Sequence, residues 1–313
     1  MCCRVSGPCS SGWGYGLAST SVVLGLRRRV LYGLATNARF ESLVGSNVLT
    51  MDLAYRAARR YVAGRTLDEA LITMRRLLEA GFGVSLDMFG EGLDDESAAS
   101  GVVDEYLAAA TAMSAIGGDV YLEIVPSHLG LDFGVDLCRG HVEQIVEALP
   151  AGARLEISAE ETWRTPRIIE LTLGLARAGA PLVASVQANL RRSAADVDRL
   201  MEAGVPIRLL KGAYLEDSDT AFPWGDQTDI AFLGLAHHIH AGGGALALAT
   251  HDPVIREALL AALPDAMIEM LLGVREDDAI ELVGRGHGVR IYTPYGPNWF
   301  RYWMRRVAEA QGA

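Results

Sequence analysis

Short apolar runs alternate with amphipathic stretches along the chain from about residue 80 onward. Eight runs occur, from "GVSLDMFGE" at residue 83 to "HGVRIYTPY" at residue 287, and a helical pattern follows each. The segment 135–149, for example, has apolar residues at the three- and four-residue spacing of an amphipathic helix. Regular strand–helix alternation indicates βαβ units and a parallel sheet. Eight units in about 230 residues predict a (β/α)8 barrel of the TIM type.

An open, doubly wound sheet is the main alternative fold. It requires a glycine-rich phosphate-binding turn after an early strand. The first run ends in "DMFGEG", which lacks that glycine spacing, and "HAGGGA" at residue 240 precedes a strand and is typical of a helix end. The barrel is therefore favoured over the open sheet.

A helical segment over residues 17–82 is predicted before the barrel. Thr66 with Glu69 three residues later is typical of a helix start, and Gly81 of a helix end. We found no linker in the rest of the chain, so residues 83–313 are predicted to form a single catalytic barrel domain, with a C-terminal helix over the active site.

Residues 1–16 differ in composition from the rest of the chain. They are rich in Gly and Ser and contain three of the four cysteines, at spacings that match no zinc site. They lack the charged start and apolar core of a signal peptide. We predict a disordered extension here.

The overall charge limits the class of partner. The chain has 39 acidic against 28 basic residues, a formal net charge of −11. Nucleic-acid binding needs a basic face, so a nucleic-acid partner is not expected.

No apolar run reaches the roughly 18 residues of a membrane span. The scarcity of cysteine after residue 9 suits a reducing cytoplasm, which is the predicted location; attachment to a membrane surface and homo-oligomerisation stay open.

Polar residues collect where the predicted strands end, which is where barrel enzymes have their active sites. They are Asp87, Glu91, Glu123, Ser158, Glu160, Gln187, Arg208, Lys211, Tyr214, Thr250, His251, Asp252, Glu269, Tyr292 and Tyr295. A barrel built only for packing would have Val, Ile and Leu there. Taken singly, Asp87 could be a helix cap, Lys211 a solvated side chain and Thr250–Asp252 a turn. Zinc-protease and serine-hydrolase signatures are absent, and no metal site is predicted.

Several of these residues lie in stretches that resemble the proline dehydrogenase family. The stretches are "YVAGRTLDEAL" (61–71), "SLDMFGEG" (85–92), "RLLKGAYLEDSDTAFP" (208–223), "ATHDP" (249–253), "LLGVRED" (271–277) and "VRIYTPYGPNWFRYWMRRVAE" (289–309). The resemblance covers roughly residues 30–310, and the order of the motifs makes it specific. It implies a distorted (β/α)8 barrel with FAD bound at its top.

The resemblance implies an activity and a cofactor site. The family oxidises L-proline to Δ1-pyrroline-5-carboxylate by hydride transfer to flavin N5, and the reduced flavin passes electrons to a quinone or another acceptor. Arg208 resembles an arginine near N5, where a cation would stabilise the reduced flavin. The other positions that match the cofactor site are Ala159, Gln187, Lys211, Gly212, Ala213, Thr250, His251, Asp252 and Glu309.

The resemblance also implies a substrate site. Arg305 and Arg306 match paired arginines that hold the proline carboxylate, for which a bidentate guanidinium is well suited. Tyr292 and Tyr302 match its aromatic walls. The remaining matches are Glu91, which would close a gate by pairing with Arg305, and Asp87, which would lie near the substrate nitrogen and act with Arg208 and Tyr292 in catalysis.

The chain departs from the family pattern at several positions. Glu123 stands where the family has a lysine that contacts the substrate carboxylate, and Ser158 replaces an aspartate able to pair with that lysine. Asn189 replaces an aromatic residue, while Glu269 and Leu272, the latter beside the substrate, replace a glutamine and an aromatic.

The change at Glu123 has an electrostatic consequence. Two like charges about 4 Å apart repel by several kcal/mol at intermediate dielectric, unless the glutamate is protonated. One hypothesis is that the substrate is a different amino or hydrazino acid, with an extra basic or donor group that meets Glu123. A shifted alignment of the second strand is the simpler alternative.

Two other functions stay open. The chain could be a barrel that binds a ligand without catalysis, although its flavin-like motifs would then have no role. It could also be an aldolase-like barrel in which Lys211 forms a Schiff base. Bound flavin on purification would favour the dehydrogenase over the binding protein, whereas borohydride trapping of a keto acid on Lys211 would support the aldolase.

Overall fold

A computed structural model of the chain describes residues 48–310, apart from Glu91 and Leu215. Within that part, eight parallel strands close into a barrel in chain order. The predicted barrel is therefore confirmed. The strands are β1 (Gly83–Met88), β2 (Val120–Ile124), β3 (Arg154–Ile157), β4 (Leu182–Gln187), β5 (Ile207–Leu210), β6 (Leu246–Ala249), β7 (Met267–Leu271) and β8 (Val289–Tyr295).

Helices precede the barrel, connect its strands and follow it. They are α1 (Val48–Ala58), α2 (Leu67–Glu79), α3 (Ala98–Met113), α4 (Val135–Ala148), α5 (Thr165–Arg177), α6 (Ser193–Glu202), α7 (Asp226–Ala241), α8 (Pro253–Ala262), α9 (Glu276–Gly284) and α10 (Trp299–Ala310). Each connecting helix buries one face against the sheet, as the amphipathic pattern requires. None of the described helices is long and apolar enough to cross a membrane.

The start of α2 shows how the sequence sets an element boundary. The Thr66 hydroxyl accepts the backbone N–H of Glu69 at 3.4 Å, and the Glu69 carboxylate accepts the N–H of Arg65 at 2.8 Å. These bonds satisfy backbone donors that a helix start leaves open. Gly81 follows the helix with φ of +88°, a conformation that favours glycine. Both predicted signals are confirmed.

The strand register brings charged residues side by side in the barrel. Asp87 is in register with Glu123, and Glu123 with Glu156. Arg208 is in register with Ser185 on β4. Residues in register on neighbouring strands point to the same face of a sheet, so the barrel interior contains a polar group among its apolar side chains.

The chain divides into two compact units. Arg56–Trp299 form one unit, which contains the barrel. Among the described residues, 48–55 and 300–310 belong to the other. Within this second unit, the guanidinium of Arg306 lies 5.0 Å from the centre of the Tyr302 ring.

Some predictions fall outside the described part of the chain. These are the disordered extension over residues 1–16 and the part of the helical segment before residue 48. The position of the C-terminal helix over the active site also stays a prediction.

Candidate active site

Arg208, on β5, is the central cation of the barrel interior. Its Nε lies 2.5 Å from Glu269 Oε2 and 3.1 Å from Glu156 Oε1, and its Nη1 donates to Ser185 Oγ at 3.2 Å. Burial alone would lower the pKa of Arg208, but Glu156, Glu123 and Glu269 raise it overall. The side chain is 12% exposed, so a permanent positive charge is held just within reach of a ligand.

Glu156 is a functional candidate that we did not predict from the sequence. It is fully buried, bonds Arg208, and accepts the Ser185 hydroxyl at 3.0 Å. Burial raises its pKa well above the ordinary value, and the charge of Arg208 opposes that rise. The available signal was a charged residue inside the apolar run "ARLEIS", two positions before Ser158 and hence on the same strand face.

Glu123 and Ser158, two of the departures from the family pattern, contact each other. The Ser158 hydroxyl donates to Glu123 Oε1. Glu123 is 5% exposed, and its Oε2 has no hydrogen-bond partner among the described residues. Burial raises the pKa of Glu123 to about 7, with Asp87 adding to the rise and Arg208 opposing it. The carboxyl group is thus poised between its two protonation states near neutral pH.

Asp87 and Tyr292, two of the three predicted catalytic residues, are brought together by the pairing of β1 with β8. The Tyr292 hydroxyl donates to Asp87 Oδ2. Leu272, directly after β7, lies next to Tyr292, because its N–H donates to the Tyr292 carbonyl at 3.1 Å. The Leu272 side chain is buried. These residues form one wall of the barrel mouth, built by β1, β7 and β8.

Gln187, at the end of β4, connects the segments that follow β3 and β5. Its Oε1 accepts the N–H of Ala213 at 2.9 Å, and its Nε2 donates to the carbonyl of Glu160 at 2.8 Å. Glu160 is also buried and accepts the N–H of Ser127 at 2.8 Å. Gln187 therefore holds in place both Ala213 and the residue that follows Ala159.

Lys211 lies between two carboxylates directly after β5. Its Nζ is 2.6 Å from Asp229 Oδ1 and 3.0 Å from Asp252 Oδ2. Asp252 also caps α8, since its Oδ1 accepts the N–H of Val254 at 3.0 Å. Burial would raise the pKa of Asp252, but the bond from Lys211 and the backbone donors of α8 lower it overall. Asp229 was not predicted as a site residue, because nothing in the sequence of α7 indicates that it contacts Lys211.

The end of β6 is tied to its neighbours by hydrogen bonds. The Thr250 hydroxyl accepts the N–H of Asp252 at 3.2 Å. His251 Nε2 accepts the N–H of Leu271, on β7, at 3.1 Å. The predicted cofactor positions of β4, β5 and β6 thus lie on three consecutive strands and face the same end of the barrel.

Gly212 has a backbone conformation that requires glycine. Its φ is +143°, and an added Cβ would lie 2.3 Å from Asn189 Oδ1. That oxygen is buried and has no hydrogen-bond partner within the described ranges. The chain after β5 therefore runs directly over the Asn189 amide, which leaves no room for a side chain.

The other predicted site residues are not placed relative to the barrel. Glu91 and the side chains of Arg305 and Glu309 lie outside the described part of the chain. Tyr302 and Arg306 belong to the second unit. Their roles stay predictions. Among the described residues there is no group of three or more His, Cys, Asp or Glu arranged to hold a metal ion.

Comparisons with known proteins point to one family. The family model described as Proline dehydrogenase matches residues 70–313. Proline dehydrogenase 1 of Bacillus subtilis (strain 168) is 32% identical over 260 residues, which are 80% of this chain and 86% of that protein. The proline dehydrogenase of Deinococcus radiodurans is 29% identical over 297 residues, 91% of this chain and 94% of that protein.

Solved structures share the fold at low sequence identity. The proline utilization A (PutA) protein of Bdellovibrio bacteriovorus, inactivated by N-propargylglycine, matches with a TM-score of 0.76 and 16% identity, over 94% of this chain. PutA of Bradyrhizobium japonicum matches with a TM-score of 0.70 and 18% identity, over 85% of this chain. The chain spans only 37% and 32% of the lengths of these two proteins.

Proposed function

Because the chain belongs to the proline dehydrogenase family, and so is an oxidoreductase acting on a CH–NH donor, we propose that it oxidises L-proline or a proline-like amino acid with a bound FAD. The substrate loses a hydride from the carbon next to its nitrogen and a proton from the nitrogen, and a C=N bond forms. When bound, FAD would supply the acceptor for the hydride, and a quinone or another acceptor would then take up the two electrons. The protein has to position the reactants and stabilise the developing charge.

Arg208 is the observation that carries this proposal. A buried guanidinium, kept charged by three glutamates and 12% exposed, is suited to stabilise negative charge that develops on a reduced cofactor. Its bonds to Glu156, Glu269 and Ser185 hold it in one orientation, so little reorganisation is needed during the reaction.

The residues around Arg208 fit FAD. Gln187, Gly212 and Ala213 form a surface of amide groups where the backbone comes close because Gly212 lacks a side chain. Lys211 adds a cation beside it, although Asp229 and Asp252 already share its charge. We propose that the amide surface holds the flavin ring, while Lys211 with Thr250 and His251 lies along the ribityl and phosphate groups. Ala159 and Glu309 would complete the cofactor site.

The substrate would lie between the flavin and the polar wall of β1 and β8. We propose that Asp87 and Tyr292, which bond each other, orient the substrate nitrogen and receive its hydrogen bond. Arg305 and Arg306 would hold the carboxylate, Tyr302 and Leu272 would enclose the carbon skeleton, and Glu91 would close the site.

The surroundings of Lys211 disfavour the aldolase-like alternative. Its Nζ is hydrogen-bonded to Asp252 and pairs with Asp229. A Schiff base would leave this nitrogen at most one N–H, so it could not keep its contacts with both carboxylates. The structure offers no observation that favours the non-catalytic reading.

Anaerobic titration tests the proposed function. The purified protein should show the visible absorbance of oxidised flavin, and L-proline should bleach it while D-proline should not. A reaction without added acceptor isolates this reductive half. The proposed oxidation would be contradicted if dithionite reduced the bound flavin but no cyclic amino acid did. The proposed cofactor would be contradicted if the purified protein contained no flavin and took up none on incubation with FAD.

A further inference from the structure

We propose that Glu123 and Ser158 form a subsite for a second basic nitrogen of the substrate. The preferred substrate is then an amino acid that carries an ammonium group in addition to the amine that is oxidised. This inference rests on the proposed function and narrows its substrate class.

The first step is the charge balance of the barrel interior. Two buried guanidinium groups, Arg208 and Arg290, face the carboxyl groups there, and Arg290 also bonds Asp119 at 2.8 Å. A buried anion without a partner is strongly disfavoured. Among the described residues, three buried glutamates share these two cations; they are Glu123, Glu156 and Glu269.

The second step is that the neighbouring glutamates have cations in contact. Glu156 lies 3.1 Å from Arg208. Glu269 lies 2.5 Å from Arg208 and 3.4 Å from Arg290. Glu123 makes no ion pair with any described residue, and its one hydrogen bond there comes from the neutral Ser158 hydroxyl. The unbalanced charge therefore falls on Glu123.

The third step concerns which carboxyl oxygen of Glu123 could accept a hydrogen bond from a ligand. Ser158 occupies Oε1, whereas the buried Oε2 has no partner within the described part of the barrel. The group faces the interior between Asp87 and Glu156, to which it is linked by strand register. An ammonium or N–H donor that reached Oε2 would satisfy this oxygen and restore the charge balance.

The alternative is that Glu123 holds a proton and serves only as a neutral part of the barrel. Burial favours the protonated form and raises the pKa of Glu123 to about 7. A cation at hydrogen-bond distance would tip this balance to the carboxylate. If Glu123 binds a cationic group of the substrate, substrate preference depends on the charge of residue 123. If Glu123 is only a neutral part of the barrel, it does not.

Matched ligand pairs separate these readings. The holoenzyme is reduced anaerobically with L-proline and 4-amino-L-proline, and with L-pipecolate and piperazine-2-carboxylate; each pair differs by one basic nitrogen. We expect the rate of flavin reduction per unit of substrate concentration to be at least about tenfold higher for the amino-bearing member, since pairing a buried charge strongly affects affinity. Glu123→Gln should reduce that preference by about tenfold or more.

Two variants serve as controls. Glu156→Gln removes a buried carboxyl group that bonds Arg208 on the next strand, so it should slow both members of a pair alike. Glu143→Gln removes an exposed carboxylate from α4 and should change neither. Equal rates for both members in the wild type, or a preference that Glu123→Gln leaves intact, would overturn the inference.

Calorimetry makes this outcome independent of the proposed function. Affinities of the same four ligands are measured with the same protein, whether or not the flavin is reduced. If no ligand reduces the flavin but the amino-bearing members bind about tenfold more tightly through Glu123, the subsite is supported and the proposed oxidation fails. If proline reduces the flavin and no preference is found by either method, the oxidation stands and the subsite is wrong.

Discussion

At the scale of single residues, the choice of arginine at position 208 follows from its surroundings. One side chain has to contact Glu156, Glu269 and Ser185, which lie on three different strands. A guanidinium carries five donors in a planar fork and stays charged when buried, whereas a lysine offers a single compact charge. Arg208 therefore both stabilises the carboxylates around it and is stabilised by them.

Replacement of Arg208 by glutamine should destabilise the fold as well as slow flavin reduction. Loss of the cation leaves buried glutamates without their partner, and breaking a buried ion pair typically costs about 3–5 kcal/mol. Denaturant unfolding of the variant and the wild type under the same conditions measures the loss.

An exposed ion pair provides the matched control for Arg208. Arg199 lies 2.6 Å from Glu170, and both side chains are about half exposed. Arg199→Gln should cost less than about 1 kcal/mol, because solvent screens such pairs. If the two variants lose similar stability, the cluster around Arg208 contributes no more than a surface ion pair.

At the scale of elements, the turn after β5 determines where the cofactor residues lie. Lys211, Gly212 and Ala213 follow the strand in succession, and the residues on either side of Gly212 are hydrogen-bonded to two different segments. Gly212 allows the turn to pass over Asn189, which follows β4 and whose N–H bonds the Lys211 carbonyl at 2.9 Å. The strand end and its turn therefore act as one unit.

The variant Gly212→Ala should disturb this unit in two ways. Its positive φ is strained for alanine, at a cost on the order of 1–3 kcal/mol, and the new Cβ would collide with the Asn189 amide. We expect lower flavin content after purification and weaker FAD affinity, measured by fluorescence titration of the flavin-free protein.

A double variant and a second glycine separate the collision from the strain. Asn189→Ala removes the colliding amide, so Gly212→Ala combined with Asn189→Ala should recover part of the lost affinity. Gly204 also has positive φ, +68°, but no atom lies within 4 Å of an added Cβ. Gly204→Ala should therefore reduce stability without affecting FAD. No recovery in the double variant would contradict the predicted collision.

At the scale of the whole molecule, the barrel could be predicted from the sequence because its signals are local. Each parallel strand is buried on both faces and forms a short apolar run, and each helix has a repeating apolar face. Glu156 and Asp229 were missed because their importance depends on partners far along the chain, Arg208 and Lys211. Likewise, the sequence marked Glu123 and Ser158 as unusual, but only the fold shows that they bond each other.

Buried carboxyl groups should make the stability of the barrel depend on pH. Glu123 faces Asp87, Glu269, Arg208 and Ser158, and its pKa is raised from 4.5 to about 7. The folded protein therefore holds a proton that the unfolded chain has already released between these values. Stability is then lost as the pH rises through this range.

The variant Glu123→Gln removes this dependence, because glutamine does not ionise. Relative to the wild type, its free energy of unfolding should rise by about 2 kcal/mol between pH 5 and pH 8, allowing for coupling to the neighbouring groups. Denaturant unfolding of both proteins across this range measures the difference, and Glu143→Gln, in which an exposed carboxylate is removed, should show no such trend. A constant difference between wild type and Glu123→Gln would mean that Glu123 is ionised throughout, with a cation beside it that the described residues do not supply.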